Sequence, residues 1–598
     1  MVTVSRLDPD ERPDDFEDRV QGAFLGAAVG DALGWQGEDR GGRVGGWRGL
    51  EPAFELTSWT RSEGGKFKPH QELIDQGSYS DDTQLLLAVA RARLAGGEWW
   101  RHLTEFELPL WTFYERGGGG ATKRATDSWL RGVPPWQDKK ADGYWRAGGN
   151  GVAMRIAPHA LRPDASRFED VARAVMDDGL TTHGHPRALV GAVMHAFSIW
   201  SSATSNAVIG YGEMIERLLS APDWKLLVEP DAVPDWLDLA SRFYGRDYDL
   251  EWRAAVAEVE RMLAASLDGI ARGALSVDRP VLEELGAFGK SNGAGTVSAA
   301  SAAFLASRYA THPSGGVVAA AFARGADTDT LASMTGSILG AIHGADWLSG
   351  IARTLEDADY IRSLARRTAS PTLQPARAIQ GVQSRAKFWR SFAEPPEGST
   401  IQLADGVEGV VERVVVHKSS RPTLLARSWV VRTSYGQTLR FKRFKTVAPP
   451  ADPRLQESSS TRTANGHESM QRGGVTLKVS GFKDSTFFYR DILGLQPTRE
   501  IPGRTVFAKF VAIEPAEDVA IAAQQLDIPE FRVQATLNAS LVITVILRLA
   551  EVEKARDQCE SHGRPTLRIS ARGELLAFRV FDPDGNVVEI RAFEPDAA

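Results

Sequence analysis

The stretch "GADTDTLASMTGSILGAIHGADWL", residues 325–348, places two acidic residues at the start of a run of small and apolar residues. The apolar residues recur with helical spacing, so a helix is predicted to begin at the acidic turn. Asp327 and Asp329 lie two residues apart, and two like charges this close destabilise a fold unless a cation lies between them. Thr330 adds a third oxygen donor. Helix capping is the alternative interpretation, although capping needs only one of these groups.

A second acidic turn precedes another apolar run, in "GSYSDDTQLLLAVA", residues 77–90. It carries Ser80, Asp81 and Asp82, again at the predicted start of a helix, where helix capping is again the alternative. The two turns together offer only hard oxygen donors, which favour Mg²⁺ or Mn²⁺ over zinc. Four carboxylates can neutralise two divalent ions, so we predict a binuclear site.

Bulk properties restrict the class of protein. A chain of 598 residues is too long for one core, and about three or four domains are expected. No apolar run is long enough to span a bilayer, so no membrane contact is predicted. A single cysteine, Cys559, excludes an internal disulfide and suggests a reducing, cytoplasmic location. The net charge of -7 argues against a protein that binds nucleic acid over its whole surface. The acidic N-terminus lacks the pattern of a secretory signal and is predicted to be a short disordered leader.

The composition of the sequence and the spacing of its apolar residues change along the chain, which predicts a multidomain protein. Residues 16–366 are rich in Ala, Gly and Leu at helical spacing, which predicts an all-α domain whose small residues let helices approach closely. A helical connector is predicted at 367–399, a small β-rich domain at 400–448 and a flexible linker at 449–472. Residues 473–594 contain a βα-plus-strands pattern twice, which predicts an α+β domain with a duplicated βαβββ unit.

The first part of the chain contains six motifs in this order: "GAFLGAAVGDALGWQGE", "SDDTQ", "GGGGATKRA", "GNGVAMRIAP", "TTHGHPRALVGAV" and "GADTDTLASMTGSILGAIHGADWL". Over residues 18–355 the chain thereby resembles the ADP-ribosylglycohydrolase family, which includes the glycohydrolase that reactivates ADP-ribosylated dinitrogenase reductase. The resemblance implies a compact all-α fold, two Mg²⁺ or Mn²⁺ ions, and hydrolysis of the bond that joins ADP-ribose to an acceptor.

The resemblance also implies roles for particular residues. The metal ligands would be Ser80, Asp81, Asp82, Asp327, Asp329 and Thr330. Glu38 matches a metal-adjacent or gating glutamate, with a solvated loop acid as the alternative. The ADP-ribose pocket would be lined by Asn150, Gly151, Met154 and His183. Independently of the family, Gly117, Gly118, Gly119 and Gly120 offer backbone amides open to a pyrophosphate, although glycine runs are more often flexible loops.

The expected reaction is metal-dependent hydrolysis of the N- or O-glycosidic bond between ADP-ribose and a protein side chain, a nucleic acid or a small conjugate. Such cleavage passes through an oxocarbenium-like state, and one carboxylate must accept the proton of the attacking water. The candidates are Asp81, Asp82 and Asp329, with Glu38 as an additional acid/base or gate. Two alternatives are a non-catalytic ADP-ribose reader or toxin-immunity protein, and a ligand-binding C-terminal module to which the helical domain is accessory.

The C-terminal motifs "RDILGLQP" and "FDPDGNVVEI" resemble the vicinal oxygen chelate superfamily, which includes glyoxalase-like and bleomycin-resistance-like domains. Catalytic members carry a metal-binding histidine on the first strand of a half, where this chain has Gly474. Only Glu589 remains at a typical ligand position. We therefore expect a metal-free module for binding or dimerisation.

The middle β-segment is basic. Nine positive residues stand against Asp405, Glu408 and Glu412, and they are Arg413, Lys418, Arg421, Arg427, Arg432, Arg440, Lys442, Arg443 and Lys445. The stretch "RFKRFK" alternates aromatic and basic residues, which is typical of single-stranded nucleic-acid surfaces. The alternative, which we favour, is a strand that buries Phe441 while its cations meet solvent or the acidic remainder of the chain.

Overall fold

The structure is a computed structural model in two compact units, Met1–Ala451 and Asp452–Ala598. In the first unit it describes residues 12–37, 51–65, 67–273, 276–370, 382–421 and 423–446. In the second unit the described residues are 475–479, 497–501, 504–507, 511–515, 531–535, 541–547, 549–562, 566–571, 574–581 and 587–592. Glu38, Gly474, the predicted leader up to residue 11 and the predicted linker 449–472 lie outside these ranges.

The first unit is built mainly of helices, as predicted for 16–366. They are α1 (Phe16–Gly34), α2 (Asp81–Arg93), α3 (Trp99–His102), α4 (Leu108–Trp111), α5 (Gly120–Leu130), α6 (Asp142–Trp145), α7 (Ala157–Ala160), α8 (Phe168–Gly179), α9 (Pro186–Ala203), α10 (Glu213–Ser220), α11 (Trp236–Tyr244), α12 (Tyr248–Ala271), α13 (Arg279–Glu284), α14 (Gly295–Arg308), α15 (Pro313–Ala321), α16 (Thr328–His343), α17 (Ala358–Ala369) and α18 (Arg385–Ser391). Among the described helices, none is long and apolar enough to cross a membrane.

The centre of this unit is the contact between α1 and α16, where small residues replace a conventional side-chain layer. A Cβ atom added at Gly26 would lie 2.1 Å from the carbonyl oxygen of Gly336, and one added at Gly30 would lie 2.1 Å from that of Ala332. The two backbones are therefore in direct contact. Nearly every residue of α16 is buried, because other elements of the unit surround the helix. The prediction that small residues bring helices close together is confirmed.

A β-hairpin interrupts the helices, which the helical spacing of the sequence did not predict. Strands β1 (Trp59–Glu63) and β2 (His70–Ile74) pair antiparallel, with Glu63 opposite His70. Alternate residues are buried, including the polar Arg61 and Glu72. Because polar side chains occupy the buried positions, the apolar alternation that indicates a strand is missing from this stretch.

The middle β-segment forms one antiparallel sheet in the order β3 (Thr400–Gln402), β4 (Glu408–His417), β5 (Leu424–Thr433) and β6 (Thr438–Thr446). Its inner face shares a hydrophobic core with α2, α4 and α18, in which Trp429 and Phe441 pack with Trp111 and Phe388. The sheet therefore belongs to the same compact unit as the helices. The division of the chain into five segments stays a prediction.

The second unit contains the duplicated pattern that the sequence predicts. The first four strands are β7 (Val475–Val479), β8 (Pro497–Ile501), β9 (Arg504–Phe507) and β10 (Val511–Pro515), in the sheet order β7-β10-β9-β8. They are followed by β11 (Phe531–Ala535), β12 (Leu541–Leu547), α19 (Leu549–Ser561), β13 (Leu567–Ala571), β14 (Glu574–Phe581) and β15 (Val587–Ala592), with the sheet order β11-β12-β15-β14-β13. In each sheet the first strand of the repeat pairs parallel with the last, β7 with β10 and β12 with β15. The helix expected in the first repeat, at 484–494, lies outside the described residues.

Candidate functional site

A cavity of about 250 Å³ lies where the first turns of α2 and α16 meet. Its lining consists of Asp81, Asp82, Gly117, Gly119, Gly120, Ala121, Thr122, Gly149, Asn150, Gly151, Met154, His183, Gly293, Asp327, Asp329 and Thr330. The structure thus brings together most of the residues that the sequence singled out, although some 250 positions separate the two acidic turns. Of the other candidates, Ser80 and Gly118 are not among the lining residues.

The first turn of α2 is fixed by a buried aspartate of α1. The side chain of Ser80 caps the helix by accepting a hydrogen bond from the Asp82 amide at 3.2 Å. Asp31 accepts hydrogen bonds from three groups: the Ser80 amide, which contacts both oxygens at 3.0 and 3.1 Å, the Thr83 amide at 3.0 Å and the Thr83 hydroxyl at 2.6 Å. Asp31 was not among the candidate residues predicted from the sequence. The available signal was a lone acidic residue in the apolar run "GAFLGAAVGDALG".

The first turn of α16 is held from the opposite side of the cavity. Asn150 donates its side-chain amide to Asp327 Oδ2 at 2.8 Å and to Ser298 Oγ at 3.0 Å. Asp329 Oδ1 accepts a hydrogen bond from the Thr330 amide at 2.9 Å. Asn150 therefore orients an acidic side chain, which is compatible with its expected place in the wall of the pocket.

The acidic groups of the cavity repel one another. Burial and the neighbouring carboxylates, Asp329 and Asp31 foremost, raise the pKa of Asp82 well above its usual range. Asp82 Oδ1 is buried and has no hydrogen-bond partner among the described residues. No lysine or arginine occurs among the described residues that line the cavity. The donors are hard oxygens without a protein cation, so the set fits Mg²⁺ or Mn²⁺.

The glycine-rich loop approaches the acidic turn so closely that a side chain would not fit. Gly117 has a φ of +108°, and a Cβ atom there would lie 3.0 Å from Asp81 Oδ1. The Gly118 amide donates to Glu115 Oε2 at 3.2 Å, which turns it away from the cavity. Gly119 is the N-cap residue of α5 and Gly120 its first residue. The loop therefore presents a helix N-terminus to the cavity, an arrangement suited to an anionic group.

His183 contributes a neutral ring to the same cavity. Burial, together with the positive charge of Arg155, lowers its pKa to about 3. Its Nδ1 atom lies 2.7 Å from the hydroxyl of Thr182. His185, to which the sequence analysis assigned no pocket role, instead caps α9 by accepting a hydrogen bond from the Arg187 amide at 3.1 Å.

A second group of side chains has the spacing of metal ligands but already contains a cation. Atoms of Glu63, His70 and Glu72 all lie within 4.8 Å of one another. Lys442 Nζ lies 2.7 Å from both glutamates, and Arg116 donates to Glu72 at 3.2 Å. Although burial raises the pKa of Glu72, these two cations hold it well below its usual range. The ammonium group thus supplies the charge that a metal ion would bring.

The basic residues of the middle sheet are largely paired within the chain. The ion pairs are Arg413 with Asp75, Arg427 with Glu394, Arg432 with Asp357 and Glu412, Arg440 with Glu356, Lys442 with Glu63 and Glu72, and Arg443 and Lys445 with Glu394. This pairing supports the favoured alternative, in which the cations meet the acidic remainder of the chain. Contact with nucleic acid through 400–448 stays a prediction.

In the second unit, Glu589 lies on β15 opposite Thr544 of β12 and Arg579 of β14. The role of that unit in binding or dimerisation stays a prediction.

Comparison with known proteins gives the following similarities. An ADP-ribosylglycohydrolase family model matches residues 12–377, and a model of the glyoxalase/bleomycin resistance protein/dioxygenase superfamily matches residues 473–590. The chain is similar to the ADP-ribosylarginine hydrolase Tri1 of Pseudomonas putida (strain GB-1), with 28% identity over 159 residues. That match spans 25% of this chain and 37% of the relative's length.

Two solved structures are also similar. An ADP-ribosylglycohydrolase-related protein complex has 22% identity and a TM-score of 0.39, covering 60% of this chain and 98% of its own. An integron cassette protein from the mobile metagenome of the Halifax Harbour sewage outfall has 17% identity and a TM-score of 0.15, covering 20% of this chain and 97% of its own.

The second unit of the chain is a glyoxalase-like domain, as the sequence motifs predicted. The family model of the first unit covers more than half of the chain, and its span contains both acidic turns. The chain belongs to the ADP-ribosylglycohydrolase family.

Proposed function

We propose that the chain is a metal-dependent hydrolase that cleaves the N- or O-glycosidic bond between ADP-ribose and an acceptor, releasing ADP-ribose. The observation that carries the proposal is the meeting of four carboxylates, Asp81, Asp82, Asp327 and Asp329, around one cavity whose described lining has no lysine or arginine. A purely structural site would be expected to pair such charges with lysine or arginine, as the Glu63 and Glu72 site does.

Two divalent ions, Mg²⁺ or Mn²⁺, would be held by Ser80, Asp81 and Asp82 on the α2 side and by Asp327, Asp329 and Thr330 on the α16 side. When bound, the ions would neutralise the carboxylates, fix the ribose hydroxyls and make a water molecule more acidic. The glycine loop at the start of α5 would receive the pyrophosphate through its backbone amides.

The side chains of the cavity then have separable tasks. Asn150 keeps Asp327 in place through its 2.8 Å hydrogen bond. Neutral His183 and Met154 would line the pocket for ADP-ribose. As C1 of the ribose becomes electron-poor, a carboxylate takes the proton of the attacking water; we assign this task to the set Asp81, Asp82 and Asp329, with Glu38 as an additional acid/base or gate.

The test is release of free ADP-ribose by the full chain, measured by chromatography in Mn²⁺, Mg²⁺ and EDTA. Arginine-linked substrate is the first to try, because the Pseudomonas putida relative is named an ADP-ribosylarginine hydrolase. Serine-linked and nucleic-acid-linked ADP-ribose complete the panel.

The informative variant is Asp329→Asn, and Asp235→Asn is its matched control because Asp235 begins α11 at an exposed position without a side-chain cap. We expect Asp329→Asn to lose about 10²-fold or more in kcat and Asp235→Asn to keep the wild-type rate. Equal rates for wild type and Asp329→Asn would refute the catalytic site. Binding of ADP-ribose without release from any substrate would identify a reader instead.

A further inference from the structure

The middle sheet reaches the segment that leads into α2. The hub of this contact is Asp357, a buried residue just before α17. One of its oxygens accepts a hydrogen bond from the hydroxyl of Tyr79 at 2.7 Å. The same carboxylate accepts two hydrogen bonds from Thr438 on β6, one from the amide and one from the hydroxyl, each at 2.7 Å. Arg432 of β5 pairs with the same carboxylate. Asp357 thus connects two strands of the sheet to Tyr79, which immediately precedes Ser80.

The backbone of Asp357 shows that this connection is strongly constrained. Its φ is +59°, in the left-handed region that non-glycine residues rarely adopt. Such a conformation persists only where the surrounding contacts determine it. Here the surrounding contacts are the hydrogen bonds from Tyr79 and Thr438 and the ion pair with Arg432.

A second connection runs parallel to the first. Arg440 of β6 binds Glu356 through two hydrogen bonds, of 2.7 and 2.9 Å, and donates a third to Ser78 Oγ at 3.2 Å. The Glu356 amide donates to the Gly77 carbonyl oxygen at 3.0 Å. A two-bond arginine–carboxylate pair fixes direction as well as distance. Residues 77–79 are therefore held one after another by groups from β6 and from the turn before α17.

Both connections end next to Ser80, whose amide is hydrogen-bonded to Asp31. The first turn of α2 is thus fixed by α1 on one side, through Asp31, and by the sheet on the other side, through Tyr79 and Ser78. We infer that the sheet of residues 400–446 is a positioning element of the site: Tyr79, Asp357 and Arg440 hold Ser80, Asp81 and Asp82 in the arrangement that receives the divalent ions. The metal part of this inference rests on the proposed function.

The test uses the full chain and the variants Tyr79→Phe and Arg440→Gln. Tyr79→Phe keeps the ring and removes only the hydroxyl, so it preserves the packing. Val411→Ala is the control, because Val411 is a buried apolar residue of β4 in the core of the sheet and has no part in the hydrogen-bonded connections. It weakens the sheet without touching the segment before α2.

Two readouts are measured. The first is Mn²⁺ affinity, followed by the electron paramagnetic resonance signal of free Mn²⁺. Both connection variants should bind Mn²⁺ about tenfold more weakly, the effect typical of removing a group that orients a metal ligand, and Val411→Ala should bind as wild type does. The second is amide hydrogen exchange of the peptide spanning 77–85 in EDTA. The same two variants should exchange about tenfold faster there, because local opening becomes easier, and Val411→Ala should not.

The outcomes separate the two proposals. If wild type binds Mn²⁺ and the connection variants match it in both affinity and exchange, the inference is overturned and the proposed function stands. If Val411→Ala shows the same losses as Tyr79→Phe, the effect is general destabilisation and the inference is likewise overturned. If wild type binds neither Mn²⁺ nor Mg²⁺, the proposed function fails, and the metal part of the inference fails with it.

Discussion

Replacing Asp82 by asparagine should change stability in opposite directions with and without metal. Within the part of the chain that the structure describes, Asp82 Oδ1 is buried without a hydrogen-bond partner, and neighbouring carboxylates add repulsion. An unsatisfied buried acceptor costs more when it is charged. The neutral amide keeps an acceptor oxygen but removes the charge and its repulsion, at nearly the same volume. In EDTA, Asp82→Asn should therefore raise the free energy of unfolding by about 1 kcal/mol.

In Mn²⁺ the order should reverse. A ligand at a hundred times its dissociation constant stabilises the folded state by about 2.7 kcal/mol. Wild type should gain this stabilisation. Asp82→Asn lacks one metal ligand and should gain little of it. The metal that raises the stability of wild type thus has little effect on the variant.

The assay is urea unfolding followed by tryptophan fluorescence. All 16 tryptophans precede residue 451, so the signal reports the first unit alone. Asp31→Asn is the control: Asp31 is equally buried but accepts hydrogen bonds from Ser80 and Thr83, so its replacement should lower the free energy of unfolding by about 1–3 kcal/mol in EDTA and in Mn²⁺. The reasoning is wrong if Asp82→Asn is destabilised in EDTA, or if Mn²⁺ stabilises it as much as wild type.

Three further predictions concern the helical unit, each measured by the same unfolding assay. Gly336→Ala should cost about 1–3 kcal/mol or more by forcing α1 and α16 apart, whereas Gly350→Ala, where an added Cβ meets nothing within 4 Å, should be nearly neutral; equal effects would refute the close contact. Asp178→Asn should cost about 3–5 kcal/mol because it leaves the guanidinium of Arg155, 2.8 Å away, buried without its counter-charge; a loss below about 1 kcal/mol would show that the pair is dispensable. Burial lowers the pKa of His195 in the folded chain from about 6.5 to about 3. As the pH falls from about 6.5 towards 3, the side chain is therefore protonated in the unfolded chain but not in the folded one, and the free energy of unfolding decreases. His195→Leu should reduce the acid-dependent loss by about 1.4 kcal/mol per pH unit in that range, and an unchanged slope would contradict the assignment.

The acidic turns could be predicted from sequence because their signal is local. Asp327 and Asp329, like Asp81 and Asp82, stand next to apolar helical runs, and their shared chemistry suggested one site before any distance was known. What the sequence could not show is which oxygen each neighbouring group binds. The hydrogen bond from Asn150 to Asp327 joins residues 177 positions apart, and no local pattern encodes it.

The features that could not be predicted from sequence are those in which buried polar residues form strands or ion pairs. The hairpin β1–β2 buries Glu72 and His70, so its composition does not resemble a strand. For "RFKRFK" the sequence favoured cations that meet solvent or the acidic remainder of the chain over a surface for nucleic acid, but it could not identify their partners. The cation of Lys442 is bound by Glu63 and Glu72, which precede it by more than 300 positions. Such ion pairs join residues far apart in the sequence, so the fold determines them and a local sequence pattern cannot predict them.

The contact between α1 and α16 has a consequence for how this site can vary. Asp31 lies near the end of α1, and Asp327 and Asp329 lie at the start of α16, beside Gly34 of α1. At Gly22, Gly26, Gly30 and Gly34 the backbone of α1 meets that of α16 directly, so these positions have no room for a larger residue. Any added carbon separates the helices and spreads the acidic groups that they carry. If the proposed function holds, we expect variation in substrate preference to arise in the loops around the cavity, because these glycine positions of α1 do not accept larger residues.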